Sequence, residues 1–185
     1  MLANKTVNIE NVAGNVHIGD SPEYQVNSAI NELLLGLAQQ PFVFQQIRRR
    51  PPASALAKIQ FNQLQGRQYI IKQYMDYSAA IEVAYKGIDS VIPFGEQIVL
   101  RNLNDLYFAA LDACEIEYMC GEVDVILVRE NSTFIVDFII AKLRNYAFES
   151  KNSLGVKEMI DQGINVIVAH AFIECIIFEN PENVT

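Results

Sequence analysis

Two carboxylates in a hydrophobic stretch are the side chains best placed to do chemistry in this sequence. Glu122 and Asp124 lie within residues 121–126, among valine and isoleucine. Restriction-type nucleases hold Mg²⁺ with a carboxylate in a hydrophobic strand that is followed by a hairpin and a Glu-x-Lys motif, because hard oxygen ligands suit that ion. Here Asp137 and Lys142 have the wrong spacing, and the Glu-x-Lys is missing. A minimal or degenerate Mg²⁺-dependent nuclease centred on Glu122 and Asp124 is therefore kept as an alternative hypothesis.

The histidine and cysteine pattern indicates neither a metal site nor a nucleophile. His170 and Glu174 are spaced for one helix face, but no third ligand accompanies them, so the sequence predicts a packed pair at the edge of the core. Cys114, Cys120 and Cys175 form no C-x-x-C motif and are predicted to be small core residues. The nucleotide-binding and hydrolase motifs with glycines at fixed spacing are also absent. We expect no catalytic residue, no cofactor and no enzymatic activity.

Candidate partner-binding residues are basic or aromatic. The chain carries a net charge of −8, which argues against a general nucleic-acid binder, so a protein-docking role is favoured and direct DNA contact stays open. Tyrosine is enriched in protein interfaces because it combines a large apolar ring with a polar end. The candidates are Arg48, Arg49, Arg50, Tyr69, Tyr74 and Tyr77.

The first twenty residues predict a short β-hairpin. Val7 and Ile9 alternate with polar residues, a Gly-Asn turn signal follows, and Val16 and Ile18 alternate again. An isolated two-stranded hairpin is only marginally stable in water, so it must dock on something. We assign these four residues as a self-association element and expect a homo-oligomer.

Helical periodicity dominates the rest of the chain. Helices are predicted from Ser21 to about residue 39, and, beyond a basic linker that ends at Pro51-Pro52, from Ala53 through residue 85. A turn marked by Gly87, Pro93 and Gly95 leads into a helix at 98–114. The fold class is mainly α, a bundle-like helical domain after a short N-terminal β-hairpin. The predicted organisation is 1–20 hairpin, 21–50 helix and linker, and 51–185 helical association domain.

The last third of the chain contains one ambiguous stretch. Residues 122–148 fit either a β-hairpin that turns at 129–132 or a helix capped by Asn131 or Ser132, and periodicity alone does not separate the two. A short helix is predicted to begin at 155–159, followed by a buried core segment at 164–178.

The amino-acid composition limits the classes of protein to which this chain can belong. Apolar residues make up 51% of 185 residues, which is enough for a packed core. The odd number of cysteines fits a reducing compartment, and neither a signal peptide nor a membrane-spanning stretch is evident. We expect a cytoplasmic protein without membrane association.

Three passages resemble the C-terminal associated domain of bacterial ABC-three-component conflict systems, which include Lamassu-like anti-phage operons. The first is Pro51-Pro52-Ala53 leading into Lys58-Ile59-Gln60-Phe61-Asn62-Gln63-Leu64 and Tyr69-Ile70-Ile71-Lys72-Gln73-Tyr74. The second is Asn131-Ser132-Thr133-Phe134-Ile135-Val136-Asp137-Phe138-Ile139-Ile140. The third is Ala171-Phe172-Ile173-Glu174-Cys175-Ile176-Ile177-Phe178-Glu179-Asn180-Pro181.

The resemblance covers about residues 51–181 and favours the helical alternative for 122–148. It implies a docking and oligomerisation subunit of an antiviral defence complex that engages an SMC-like ABC ATPase and other operon-encoded middle or effector subunits. The family usually carries an effector domain ahead of this one, and this chain has only the hairpin segment and a helix there. A catalytic role is therefore not carried over. An inhibitory regulator of an effector, with acidic surface facing a basic groove, is a further alternative.

Overall fold

The described part of the chain is a bundle of α-helices around one apolar core. The computed structural model describes residues 22–39, 53–120, 123–149 and 157–181, and no β-strand occurs among them. The helices are α1 Pro22–Gln39, α2 Ala53–Phe61, α3 Gln68–Val91, α4 Gly95–Ala113, α5 Val125–Glu130, α6 Ser132–Glu149 and α7 Lys157–Ile173, with a 3-10 turn at Gln65–Arg67. The mainly α prediction is confirmed. The hairpin predicted from Val7, Ile9, Val16 and Ile18 lies outside the described residues.

Helix α1 has the bounds that its sequence predicts and belongs to the same core as the later helices. Proline stands at its first position, where the missing amide hydrogen costs nothing. Ile30, Leu33, Leu34 and Leu37 recur every three or four residues and are all buried. This face packs against α3, α4, α6 and α7.

Helix α3 lies between α1 and α7 and continues beyond its predicted end. The turn predicted to begin at Gly87 begins at Ile92 instead, because one exposed glycine weakens a helix without breaking it. Phe94, with φ of 62°, makes the reversal into α4. Gly95 then opens α4 at a close approach, where an added Cβ would lie 3.1 Å from the Ile88 side chain.

The ambiguous stretch is helical over its described residues. Residues 125–130 form α5 and residues 132–149 form α6, so the helical alternative is confirmed and the β-hairpin interpretation is wrong there. Ser132 begins α6. Its hydroxyl donates a hydrogen bond of 3.2 Å to the carbonyl of Gln63 rather than capping the helix.

The closing region is one helix followed by a turn, where two separate elements were predicted. Helix α7 runs unbroken through Gly163, where an added Cβ would lie 2.6 Å from Leu34, so this glycine lets α7 approach α1 closely. Residues 174–181, called the C-terminal hook below, then leave the helix and bury Ile177 and Phe178. The prediction of a buried segment is confirmed for most of 164–178, but its helix ends at Ile173. None of the helices that the structure describes is long and apolar enough to cross a membrane.

Candidate functional site

The carboxylate at the centre of the nuclease hypothesis caps a helix. One Asp124 oxygen accepts hydrogen bonds from the backbone amides of Ile126 (3.0 Å) and Leu127 (3.2 Å) at the start of α5. This is the usual role of aspartate at an N-cap. Glu122 lies outside the described residues. In the described ranges no group of three or more His, Cys, Asp or Glu side chains is placed to hold a metal ion.

Asp137, the carboxylate whose spacing does not fit the nuclease pattern, forms an ion pair. Asp137 on α6 accepts two hydrogen bonds from the Arg67 guanidinium, at 2.9 and 2.5 Å, and this pairing raises the pKa of Arg67. The pair joins the 3-10 turn to α6. The Arg129 guanidinium lies 4.0 Å from the centre of the Phe61 ring, so α5 is joined to α2 as well. These groups connect helices and leave Asp137 remote from any shared carboxylate site.

His170 is buried in an aromatic cluster. Its ring lies 5.1 Å from that of Tyr85 and 5.7 Å from that of Tyr74, measured between ring centres. Its Nδ1 atom has no hydrogen-bond partner among the described residues, and burial lowers the pKa of the imidazole, an effect that Glu174 and Glu82 partly oppose. Glu174 is exposed and lies beyond the end of α7. The predicted packed histidine is therefore observed, but Glu174 makes no hydrogen bond with it.

A buried lysine that the sequence analysis missed organises the C-terminal hook. Lys58 on α2 is only 4% exposed, and its amine donates to the carbonyl of Phe172 and, at 3.4 Å, to that of Ile177. The amine also lies 4.7 Å from the centre of the Phe172 ring. Burial lowers the pKa of Lys58, while the neighbouring Cys175 acts in the opposite direction. These acceptors occupy Lys58 inside the bundle, so we assign it to holding the fold.

Two asparagines bind the same hook. The side-chain amide of Asn62 donates a hydrogen bond of 2.9 Å to the carbonyl of Glu179. The side-chain amide of Asn104 donates one of 3.0 Å to the carbonyl of Ile176. Asn62 stands four residues after Lys58, in the turn that directly follows α2. That spacing of two polar residues in an apolar stretch was the sequence signal for this arrangement. Together these side chains satisfy carbonyls that a non-helical segment would otherwise bury without partners.

An open cavity lies beside this network. Its volume is about 540 Å³, and most of its lining surface is apolar. The described lining residues are Ser54, Ala55, Ala57, Lys58, Tyr74, Met75, Ile173, Cys175, Asn180 and Pro181. The Lys58 amine lines this cavity but donates its hydrogen bonds to carbonyls in the bundle. Its positive charge is therefore already paired with those carbonyls.

The outward side of α6 carries exposed phenylalanines, with Phe138 between them packed partly against the core. Phe134 is 47% exposed and Phe148 is 44% exposed, and Phe138 between them is half-buried. Ala141 and Asn145 are exposed on the same side. We call these five residues the outer row. The Phe134 and Phe138 rings lie 6.1 Å apart, and the Lys142 amine lies 5.4 Å from the Phe138 ring centre.

Of the residues predicted to bind partners, the structure describes the side chains of Tyr69 and Tyr74, and the two differ in exposure. Tyr69 is half exposed at the start of α3, whereas Tyr74 is 8% exposed and packs against His170 as part of the core. Tyr74 therefore contributes little to an outer surface, because its position on α3 faces α7. The side chain of Tyr77 and the residues Arg48, Arg49 and Arg50 lie outside what the structure describes.

The cysteines are less buried than their residue type predicts. Cys120 and Cys175 are exposed, and Cys114 is partly buried. Both exposed cysteines lie in turns outside the helices, which is why the prediction of core residues is wrong for them. Burial raises the pKa of Cys114.

No family model, no curated protein and no solved structure matches this chain.

Proposed function

We propose that this chain is a non-enzymatic docking and oligomerisation subunit of a bacterial anti-phage defence complex. The outer row of α6 is the observation that supports a binding role. Exposed phenylalanines that follow one line along a helix form an apolar surface, and contiguous apolar surface marks protein–protein contact sites. Aromatic side chains are enriched at such interfaces.

The polar side chains considered for chemistry support the same proposal. Asp124 caps α5, Asp137 pairs with Arg67, and Lys58 binds carbonyls of the C-terminal hook. An enzyme needs groups placed so that a reacting atom can lie close to several of them at once. In the described residues these groups act instead on the backbone or on one another.

The identity of the partners comes from the resemblance across residues 51–181. It implies an SMC-like ABC ATPase and further operon-encoded subunits as the proteins that this subunit engages. The motifs that carry the resemblance form α2, α3, α6 and the C-terminal hook, so its second motif includes part of the outer row.

Purification from cells that express the native operon tests the proposal. We expect the full-length tagged chain to retain the ATPase, and the double variant Phe134→Glu/Phe148→Glu to retain much less of it, about tenfold or more, because two charges would be buried at the contact. The matched control is Val83→Glu/Val91→Glu, which places the same charges at exposed apolar positions of α3 and should retain the ATPase.

Two results would overturn the proposal. Recovery of the wild-type chain without any operon-encoded protein would remove the docking role. Cleavage of DNA in the presence of Mg²⁺ or Mn²⁺, lost in Asp124→Asn, would show that the chain is an enzyme, because the asparagine retains the helix cap but not the charge of the ligand.

A further inference from the structure

We propose that the open cavity beside the C-terminal hook binds a single apolar acyl chain, and that Cys175 accepts this chain from a thioester. The inference goes beyond the docking function and does not depend on it. It assigns the protein a modification site, and the substrate class is an acyl group carried as a thioester on coenzyme A or on a carrier protein.

The cavity has the size and the lining of a small-molecule site. Its volume of about 540 Å³ lies within the range of about 300–1,000 Å³ that is typical of such sites, and most of its lining surface is apolar. The apolar groups come from three parts of the fold, namely α2, α3 and the closing region, and include Ala55, Ala57, Met75, Ile173 and Pro181. A chain that lies between these parts loses much of its contact with water, which favours binding of an apolar guest.

Cys175 places a nucleophile at this cavity. It lies two residues beyond the end of α7, with φ of 58°, and its exposed side chain contributes to the cavity lining. Neither Cys114 nor Cys120 is among the described residues that line the cavity. Thiol groups are intrinsically nucleophilic near neutral pH, so a thioester bound in the cavity would have a reactive sulfur within the same site.

A buried amine accompanies the thiol. Lys58 is 4% exposed, lines the same cavity, and donates to the carbonyls of Phe172 and Ile177, which flank Cys175 in the chain. A hydrogen bond with the Cys175 side chain opposes the lowering of the Lys58 pKa by burial. The amine therefore lies beside the sulfur, where it can stabilise the negative oxygen that develops when a thiol attacks a carbonyl carbon.

The charges at the cavity favour a neutral acyl group over a free carboxylate or a phosphate. The positive charge of Lys58 already meets two carbonyls, and Glu174 and Glu179 act on it as nearby negative charges. A free anion in the cavity would be repelled by these two carboxylates, whereas an apolar chain needs no opposite charge. The charged parts of the carrier would remain in solvent, because the cavity is open.

The transfer needs no oxidant and no further reactant. The Cys175 sulfur attacks the carbonyl carbon of the thioester, a new carbon–sulfur bond forms, and the bond to the carrier sulfur breaks. The carrier sulfur leaves with that electron pair and takes up the proton that Cys175 has lost. One thioester replaces another, so burial of the chain is what favours the acylated protein.

Acyl transfer to the full-length chain tests the site. The donors are octanoyl-coenzyme A and acetyl-coenzyme A, both well below saturation, and mass spectrometry of the intact chain and its peptides measures the rate at each cysteine. Each methylene that leaves water strengthens binding by about fourfold. We expect Cys175 to accept octanoyl about 60-fold faster than acetyl, which corresponds to burial of three of the six additional methylenes. Cys120, an exposed cysteine outside the described lining, should show no such preference.

Substitutions assign the reacting atom and the place of the chain. Cys175→Ser should lose the fast octanoyl transfer, and the matched control Cys120→Ser should keep it. Ala57→Phe places a ring in the cavity and should slow octanoyl transfer by about tenfold, because the ring displaces at least two methylenes, while acetyl transfer stays nearly unchanged. Ala79→Phe, at an exposed alanine of α3, is its matched control and should change neither rate.

The acetyl rate keeps the test decisive if a variant unfolds. Unfolding exposes Cys175 to both donors, so a variant with altered acetyl transfer is replaced by Ser54→Phe, at a second exposed position of α2 in the cavity lining. Octanoyl attached to an acyl carrier protein serves as a further donor. Faster transfer from it identifies a protein carrier, faster transfer from coenzyme A identifies the small carrier, and either result supports the site.

Three results would overturn the inference. They are equal octanoyl and acetyl rates at Cys175, an octanoyl preference at Cys120 as large as that at Cys175, and an octanoyl rate that neither Ala57→Phe nor Ser54→Phe reduces. None of these results bears on recovery of the ATPase, so the docking function and the acylation site can fail separately.

Discussion

His170 combines close packing with an unpaired ring nitrogen. Its imidazole lies against the Tyr74 and Tyr85 rings, and Nδ1 has no partner among the described residues. Burial disfavours the charged imidazolium, so the pKa of His170 is lower in the folded chain than its ordinary value of 6.5. Below about pH 6.5 the unfolded chain therefore binds a proton that the folded chain resists, so the contribution of His170 to the free energy of unfolding decreases as the pH falls.

The variant His170→Phe isolates this effect. Phenylalanine fills a similar space without a titrating group, so we expect the variant to lose less stability than the wild type when the pH falls from about 7 to about 5. Urea unfolding of both proteins at several pH values measures the difference. Parallel pH profiles of the two proteins would contradict the assigned cause.

At the scale of elements, two glycines in helices should respond oppositely to alanine. At Gly163 an added Cβ would lie 2.6 Å from a methyl group of Leu34, whereas at Gly87 no atom lies within 4 Å. We expect Gly87→Ala to stabilise the chain by about 0.5–1 kcal/mol, because it only restricts the unfolded backbone. Gly163→Ala should destabilise it by about 1–2 kcal/mol, because crowding between α1 and α7 outweighs the same gain. Chemical denaturation of the pair measures both, and a stabilising Gly163→Ala would show that Leu34 moves aside freely.

The short helix α5 depends on its cap. Replacing Asp124 by alanine removes the acceptor for the amides of Ile126 and Leu127 and should destabilise the chain by about 1 kcal/mol. The amide oxygen introduced by Asp124→Asn would still accept these hydrogen bonds, so that change should cost only a few tenths of a kcal/mol. Thermal unfolding of the two variants compares them. Equal losses would indicate that the negative charge, rather than the hydrogen bonding, is what matters.

The position of a helix could be predicted from the sequence when its apolar residues form a single stripe that is buried in the core. The bounds of α1 follow from the spacing of Ile30, Leu33 and Leu37. Helix α6 was harder, since its apolar residues extend around more than one side: Ile135 and Ile139 are fully buried, whereas Phe138 is only partly buried against the same core. Two apolar faces on one helix overlap in a 3.6-residue periodicity, and only the packing of the neighbours shows which residues point outward.

The C-terminal hook could not be predicted from local pattern. The apolar run of the sequence continues into the hook. Cys175 and Phe178, however, adopt φ of 58° and 65°, which a right-handed α-helix does not allow, so the backbone leaves the helix. The hook is held by Lys58, Asn62 and Asn104, which are remote in sequence, so no window of the chain contains both sides of the contact. The candidate surface on α6 was likewise defined by what the rest of the bundle leaves uncovered.

At the scale of the whole molecule, the hook fastens the last described residues to α2. Replacing Lys58 by methionine keeps most of the buried volume but leaves the carbonyls of Phe172 and Ile177 without their donor. We expect a loss of about 2 kcal/mol in the free energy of unfolding and faster amide hydrogen exchange in residues 174–181. The control is Lys72→Met, at an exposed lysine of α3, which should be nearly neutral. An unchanged Lys58→Met would mean that water or neighbouring groups replace the amine at no cost.

The contact between Lys58 and Ile177 joins residues 119 positions apart. A ribosome that adds about 5–20 residues per second takes roughly 6–24 s to pass from one to the other. Throughout that interval the nascent α2 exposes a lysine and an asparagine whose carbonyl acceptors have not yet been synthesised. The contact between Lys58 and the hook can therefore form only after residue 177 has been translated, whereas the contacts among α1, α3, α4 and α6 involve earlier residues. A chain that ends shortly before residue 172 would contain α1 to α6 and most of α7, but its buried Lys58 would lack both carbonyl acceptors.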